Sequence, residues 1–258
     1  MLINGTVTNV DGVQIIGPHE TEWSELSSGD CTPRTRWPTM VILHKTLADD
    51  PEKILDGHGP PGHAKRTADS WRNDPKHSGA HIVIGDDLSA CLADVVLVEA
   101  WDANQANLRS IGIEHCEELG GIVRRITLEN GVKICLALSE RCGIQLQVPR
   151  PGSYHEGQPL RRYADGGSSL IGFFGHRDVV SSRGKWDPGE VIFSMLIAAG
   201  AEPYDFNAGE DLVVWKKRQA DLVARGYQLV VDGIPGPATT AALRSEGYRG
   251  GVWALGKT

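Results

Sequence analysis

Three apolar segments of this sequence each lead into a side chain that can bind a metal or move a proton. The first ends on His44, the second ends on Glu114, and the third stops immediately before His176. Short runs rich in β-branched and aromatic residues are typical of buried strands. Strand ends gather at one edge of an α/β sheet, where ligands bind. The sequence therefore favours a sheet that brings these three side chains together.

Other segments alternate between strand and helix patterns. Two further strands are predicted at Ala80–Gly85 and Val95–Val98. Apolar periodicity predicts helices over His63–Arg72, Gly131–Arg141 and Glu190–Ala199. This mixture predicts the α/β class, with a central mixed β-sheet flanked by helices.

A polar stretch with Pro and Gly, residues 201–210, predicts a linker between two domains. The first domain, residues 1–205, is expected to be catalytic, with a core at about 38–195 and an N-terminal extension over 1–37. The second, residues 206–258, is expected to be a small helical domain. An Asp-Gly turn at Asp232 and a hydroxyl at Thr239 mark its second helix start.

Bulk properties exclude some classes of function. A formal net charge of -7 argues against a nucleic-acid binder, which usually has a basic face. No apolar run is long enough for membrane insertion, and the N-terminus lacks the pattern of a secretory signal peptide. Synthesis in the cytoplasm and a monomeric state are therefore expected. Five cysteines at irregular spacing make a poor disulfide framework.

The residue types around the predicted strand ends suit a zinc hydrolase. His44, His176 and Asp187 would provide two imidazoles and one carboxylate, leaving one zinc position for water. Glu114 could accept a proton from that water, and Lys185 could stabilise the developing oxyanion. A strand-end histidine with a satisfied hydrogen bond and an Asp that opens an Asp-Pro-Gly turn are the structural alternatives for His44 and Asp187.

These motifs resemble the type-2 zinc N-acetylmuramoyl-L-alanine amidases, a superfamily that includes AmpD-like amidases, phage lysozymes of the T7 type and peptidoglycan recognition proteins. The resemblance is carried by four segments: the run ending on His44, Ala80-His-Ile-Val-Ile, Ser110-Ile-Gly-Ile-Glu114, and Gly175-His-Arg-Asp followed by Lys185-x-Asp-Pro-Gly. It covers about residues 38–195.

The resemblance implies zinc-dependent hydrolysis of the amide bond between N-acetylmuramic acid and L-alanine in peptidoglycan. It implies zinc binding by His44, His176 and Asp187, with Glu114 as general base and Lys185 as oxyanion partner. His81 would be a structural or cleft residue and not a metal ligand, and His81 and Trp101 are the expected substrate contacts in the cleft. The chain departs from the family where Trp101-Asp102 replaces a common Trp-His, and where the segment before Lys185 is one residue longer.

The C-terminal residues 211–247 resemble the helical peptidoglycan-binding domain through Asp232-Gly-Ile-Pro-Gly-Pro-Ala-Thr239. This resemblance implies that Asp232 and Thr239 contact the wall polymer. Peptidoglycan is thus the expected partner of both domains.

Catalysis and wall binding together suggest a phage or prophage endolysin released by a holin, or an antibacterial effector delivered by a secretion apparatus. Two other classes stay open. One is a non-catalytic peptidoglycan recognition protein, against which the intact His44, His176 and Asp187 speak. The other is a cysteine peptidase using Cys116 or Cys31, neither of which is predicted at an activating helix N-terminus.

Overall fold

The structure is a computed structural model that describes ten segments of the chain. They are residues 1–17, 31–46, 64–72, 79–86, 88–118, 122–151, 171–180, 187–204, 211–231 and 237–246. Their strands are β1 (Leu2–Ile3), β2 (Thr6–Val7), β3 (Ile15–Ile16), β4 (Cys31–Pro33), β5 (Met40–Lys45), β6 (Ile82–Ile84), β7 (Ser89–Cys91), β8 (Val98–Ala100), β9 (Ser110–His115), β10 (Glu117–Glu118), β11 (Ile122–Val123), β12 (Gln147–Pro149), β13 (Gly172–Gly175) and β14 (Glu202–Tyr204). Their helices are α1 (Ala64–Arg72), α2 (Arg125–Cys142), α3 (His176–Val179), α4 (Val191–Ala198), α5 (Asp211–Ala224) and α6 (Pro237–Ser245), with a 3₁₀ helix at Asn104–Arg109.

A six-stranded sheet with the order β13-β5-β9-β6-β7-β3 forms the centre of the fold. The first four strands are parallel, β7 is antiparallel to β6, and β3 is parallel to β7. The predicted α/β class with a central mixed sheet and flanking helices is therefore confirmed.

The central strands are mostly apolar because both faces of the sheet are covered. On one face, Val41 and Ile113 belong to the largest buried cluster, which also takes in residues of α2 and α4. On the other face, Met40 and Ile42 pack with Phe174 and with residues beside the 3₁₀ helix. Side chains alternate between faces along a strand, so His44 follows Met40 and Ile42 onto this second face.

One predicted strand, Val95–Val98, is wrong in its bounds, since the strand begins at Val98. The preceding residues turn because the carboxylate of Asp94 accepts hydrogen bonds from the backbone N–H groups of Val96 and Leu97, both at 2.9 Å. An acceptor two or three residues earlier offers the backbone an alternative to a sheet ladder.

The first sixteen residues pack onto the central sheet. β3 forms an edge of that sheet, and Asp94 also accepts hydrogen bonds from Asn4 and Gly5 at the β1–β2 turn. The backbone of this segment therefore extends the sheet, and the predicted division into an extension over 1–37 and a core at about 38–195 stays a prediction.

The two C-terminal helices, α5 and α6, pack against each other and against the part of the chain that forms the central sheet. Leu222 and Leu243 share a buried cluster with Ile171, which directly precedes β13. The domain boundary at residues 205/206 stays a prediction. Among the described segments, no helix combines the length and hydropathy needed to cross a membrane.

Candidate active site

Two adjacent parallel strands place His44 and Glu114 side by side. In the register between β5 and β9, His44 lies opposite Glu114. Paired residues on neighbouring strands point to the same face, so both side chains leave the sheet on the side that holds Met40 and Ile42. His44 is buried and Glu114 is half-buried. The strand-end prediction for both residues agrees with this placement.

The neighbouring strand β13 brings His176 to the same edge. His176 is the first residue of α3, and its ring lies against that of His44 with the two centroids 4.3 Å apart. Asp187, at the start of the described segment 187–204, lies at the same edge of the sheet. Its Oδ1 accepts a hydrogen bond from the N–H of Lys45 at 3.0 Å, and its Oδ2 lies 3.1 Å from His176 Nδ1.

His44, His176 and Asp187 form a compact group of potential metal ligands. Each offers one ligand atom, these atoms all lie within 4.8 Å of one another, and all three residues are buried. Zinc binds such donors at about 2.0–2.2 Å, which places ligand atoms of a tetrahedral site ~3.3 Å apart. The 3.1 Å between His176 Nδ1 and Asp187 Oδ2 fits that spacing. The residues present therefore fit a zinc ion.

Carboxylates surround His44 and bias it towards a positive charge. Burial lowers the pKa of His44, but contact with Asp102 and the charges of Glu114, Asp102 and Asp187 outweigh burial and raise the pKa to about 9. For Asp187, burial raises the pKa, but contact with His176 and the charge of His44 give a net lowering. The group thus concentrates negative charge at a point where a cation would be stabilised.

His115 supports the site from the opposite face of β9. Its Nδ1 donates a hydrogen bond to the backbone oxygen of His44 at 3.0 Å. Burial lowers the pKa of His115 to about 4, so the ring is neutral near pH 7. Gly131 of α2 makes this packing possible, because a Cβ there would lie 2.3 Å from His115 Nε2.

His81 is held in the sheet by both ring nitrogens, and its predicted contact with substrate stays a prediction. It is fully buried. Its Nδ1 accepts a hydrogen bond from the N–H of Gly112 at 3.0 Å, and its Nε2 donates to the oxygen of Val98 at 2.9 Å. Burial and the nearby charge of Arg34 lower the pKa of His81 to about 4. A ring held at both nitrogens has no donor or acceptor left for a ligand.

Thr239 is also buried, and Gln219 Nε2 lies 3.3 Å from its hydroxyl oxygen, inside the C-terminal helical pair. Its predicted contact with the wall polymer stays a prediction. Trp101 is 43% exposed, so its predicted contact with substrate stays open. Lys185 and Asp232 lie outside the described residues, and their roles stay predictions.

Asp102 is a site residue that sequence reasoning did not assign. Its Oδ2 lies 3.2 Å from Nε2 of His44, and its side chain is buried. In the sequence it is visible only as a departure from the common Trp-His pair. Gly112, the glycine within Ser110-Ile-Gly-Ile-Glu114, is the other signal, since it leaves room for the Asp102 carboxylate.

The cysteines do not form an alternative catalytic centre. None of the five is in a disulfide. Cys116 is buried, and its Sγ lies 3.3 Å from the hydroxyl of Thr67. Cys31 is half-buried on β4, at the outer part of the fold that pairs with β8. Neither begins a helix in the described segments, so neither thiol lies at a helix N-terminus, one of the positions that activate a thiolate.

A mixed sheet that gathers two histidines and an aspartate beside a strand-end glutamate supplies the residue types that metal-dependent hydrolases use. The family profile of the N-acetylmuramoyl-L-alanine amidases matches residues 34–190, more than half of the 258 residues. The chain belongs to this amidase family and is an amidase of the kind that acts on peptidoglycan.

Three solved structures are similar to the chain, at low sequence identity and low TM-score. The structure of PlyL is 14% identical with a TM-score of 0.43, covering 72% of this chain and 90% of that one. The catalytic domain of XlyA is 18% identical with a TM-score of 0.41, covering 52% and 80%. The N-acetylmuramoyl-L-alanine amidase LysC from Clostridium intestinale URNW is 17% identical with a TM-score of 0.41, covering 72% and 96%. These values are too low to bear on activity. No curated protein sequence matches the chain significantly.

Proposed function

We propose that this protein is a zinc-dependent amidase that cleaves the bond between the lactyl group of N-acetylmuramic acid and the L-alanine of the stem peptide. The observation that carries the proposal is the buried group of His44, His176 and Asp187 beside Glu114. Membership of the amidase family supplies the substrate class.

In this proposal His44, His176 and Asp187 hold the zinc ion. A bound zinc ion lowers the pKa of its water to about 7 and polarises a carbonyl oxygen. Asp187 is fixed by the backbone N–H of Lys45, and His44 is fixed through its own backbone oxygen by His115. Both anchors lie on central strands, which hold a site more rigidly than loops do.

Glu114 is proposed as the general base. Its pairing with His44 places the carboxylate on the face that carries the three ligands. From there it can take a proton from the attacking water and pass it to the leaving amine of L-alanine. Lys185, assigned only by resemblance, is proposed to stabilise the developing oxyanion.

The bond that is cut can be tested by mass spectrometry of digested sacculi. Free stem peptides with an N-terminal L-alanine are expected, and they should vanish in chelator and return with added zinc. Glu114→Gln should bind zinc normally and lose turnover by about 10²- to 10⁴-fold. The matched control is Glu129→Gln, which removes a helix-surface carboxylate paired with Arg125. Near wild-type turnover in Glu114→Gln would refute the assignment of the base.

A non-catalytic recognition protein is the competing function. It would bind sacculi without releasing peptides, in the presence or absence of zinc. The buried ligand group speaks against it, because two imidazoles and a carboxylate in contact serve no evident binding role without an ion.

We also infer that the C-terminal helical pair anchors the enzyme to the wall, as an endolysin requires. Val230 and Val231, between α5 and α6 in the sequence, are exposed apolar residues on this part of the chain. Replacing both with serine should weaken cosedimentation with sacculi but leave cleavage of a soluble muropeptide unchanged. Val7→Ser, at an equally exposed valine of β2, is the control. Equal loss on both substrates would contradict a separate anchoring role.

A further inference from the structure

The carboxylate of Asp102 is enclosed beside a proposed zinc ligand. Its side chain is 4% exposed, and its Oδ2 lies 3.2 Å from Nε2 of His44. Within the described residues, neither carboxylate oxygen has a partner that meets hydrogen-bond geometry, and both are buried. A buried carboxylate is costly unless it is paired. The nearby ring of His44 is the group that can offset this cost.

The strand beneath Asp102 is shaped to accept it. A Cβ at Gly112 would lie 1.4 Å from Asp102 Oδ2 and 2.4 Å from its Cγ, so any larger residue would occupy the carboxylate position. Gly112 precedes Glu114 by two residues and therefore lies on the same face of β9. Asp102 thus fills the space over Gly112 on the face that carries His44 and Glu114.

The segment that carries Asp102 is fixed to the sheet. The N–H of Ala103 donates a hydrogen bond to Oδ1 of Asn107 at 2.7 Å. Ala103 and Ala106 are buried in the cluster formed by Met40 and Ile42. The backbone on both sides of the carboxylate therefore holds it in one place.

Asp102 and Asp187 contact different parts of the chain around His44. Asp187 accepts a hydrogen bond from the N–H of Lys45, the residue after His44. Asp102 lies at the ring itself, with its Oδ2 3.2 Å from Nε2, which leaves Nδ1 as the other ring nitrogen that can bind a metal. Within the described part of the chain, the mutually close ligand group contains His44, His176 and Asp187 but not Asp102.

We propose that Asp102 is a positioning residue that accepts the Nε2 proton of His44 and so presents Nδ1 of that ring to the metal. Carboxylates that orient a metal-binding histidine in this way fix its tautomer and make it a stronger ligand. The inference rests on the proposed function, because it assumes that His44 holds zinc. It gives Asp102 no contact with substrate or with the ion.

Zinc affinity is the direct measurement, made by competition with a chromogenic chelator on the full chain. Loss of an outer carboxylate typically lowers metal affinity about 10- to 100-fold. Asp102→Ala should show this loss. Asp102→Asn should lose less, because its amide oxygen can still accept the Nε2 proton. Asp86→Asn removes one negative charge from a surface pair with Arg124 and should leave the affinity unchanged.

Gly112→Ala is a second way to remove the Asp102 carboxylate from Nε2 of His44, without substituting Asp102 itself. The added methyl group must displace the carboxylate, so zinc affinity should fall in the direction of Asp102→Ala. Circular dichroism establishes that each variant is folded before its affinity is compared. Since Asp102→Asn changes no side-chain volume, it keeps the question answerable if Gly112→Ala fails to fold.

The tautomer is the second readout. In ¹⁵N–¹H spectra of the zinc-loaded protein, His44 should carry its proton on Nε2, with Nδ1 bound to the metal. A metal bound to Nε2, or unchanged affinity in Asp102→Ala, overturns the inference. Abolished binding in both Asp102 variants overturns it as well, since this would make Asp102 a ligand. Failure of the wild type to bind zinc would instead refute the proposed function.

Discussion

Gly131→Ala sets two effects of opposite sign against each other, and the structure decides between them. In the interior of a helix such as α2, alanine is favoured over glycine by about 1 kcal/mol. At this position, however, the new Cβ would lie 2.3 Å from Nε2 and 2.9 Å from Cδ2 of His115. The ring is fully buried and hydrogen-bonded to His44, so it cannot swing into solvent.

Overpacking of this kind typically costs about 1–3 kcal/mol. The net expectation for Gly131→Ala is therefore a free energy of unfolding that falls by ~0–2 kcal/mol, although the helix propensity improves. In a His115→Ala background the clash is absent, and the same substitution should stabilise the fold by about 1 kcal/mol. The coupling free energy between the two sites should thus be about 1–3 kcal/mol.

Urea unfolding of the four proteins in this cycle, followed by circular dichroism, measures the coupling. Equal stabilisation by Gly131→Ala in both backgrounds would refute the reasoning, since it would mean that His115 does not press on α2. A second readout is amidase activity. Displacement of His115 should reduce it in Gly131→Ala because the hydrogen bond to the His44 backbone is disturbed.

Three further predictions concern other parts of the fold. The pKa of His81 falls to about 4, below its unfolded value of about 6.5; the unfolded state therefore binds the extra proton, and stability should drop as pH falls from about 6.5 to 4. The slope of the free energy of unfolding against pH reports how many protons are taken up on unfolding. In urea titrations across this pH range, His81→Gln should lower that number by about one. Asp94→Ala should cost about 2–3 kcal/mol because four backbone N–H groups lose a charged acceptor, whereas Asp94→Asn should cost less; equal costs would contradict the role of the charge. Leu243→Ala should cost about 2–5 kcal/mol, and hydrogen exchange should then speed up both in α6 and near Ile171; faster exchange in α6 alone would contradict the packing between the two parts.

The sequence was sufficient to predict the residues that stand at strand ends. His44, Glu114 and His176 follow apolar runs, and parallel strands bring such residues to one edge whatever the connecting segments do. Asp187 was predictable from the turn in which it lies. These positions depend on local pattern and on one general property of sheets.

Residues whose role depends on a specific close approach were not predictable in this way. His81 belongs to a recognisable strand motif, but only its contacts with Val98 and Gly112 show that it is a structural residue. Asp102 lies before a 3₁₀ segment without periodicity, and its contact with His44 depends on the space over Gly112. A sequence pattern records that Gly112 is small but does not identify the side chain that uses the space.

The two glycine contacts together explain how the centre of the sheet can orient a ligand. On one face of β9, Gly131 of α2 lets His115 pack closely and hold the backbone oxygen of His44. On the other face, Gly112 lets Asp102 reach the ring of the same residue. The backbone and the ring of His44 are thus held from opposite sides of the strand next to its own. Alanine at either glycine should therefore disturb His44 through a different atom, Gly131→Ala through the backbone and Gly112→Ala through Nε2. If the inference about Asp102 holds, each substitution alone should lower zinc affinity, and the double variant should bind zinc more weakly than either single variant.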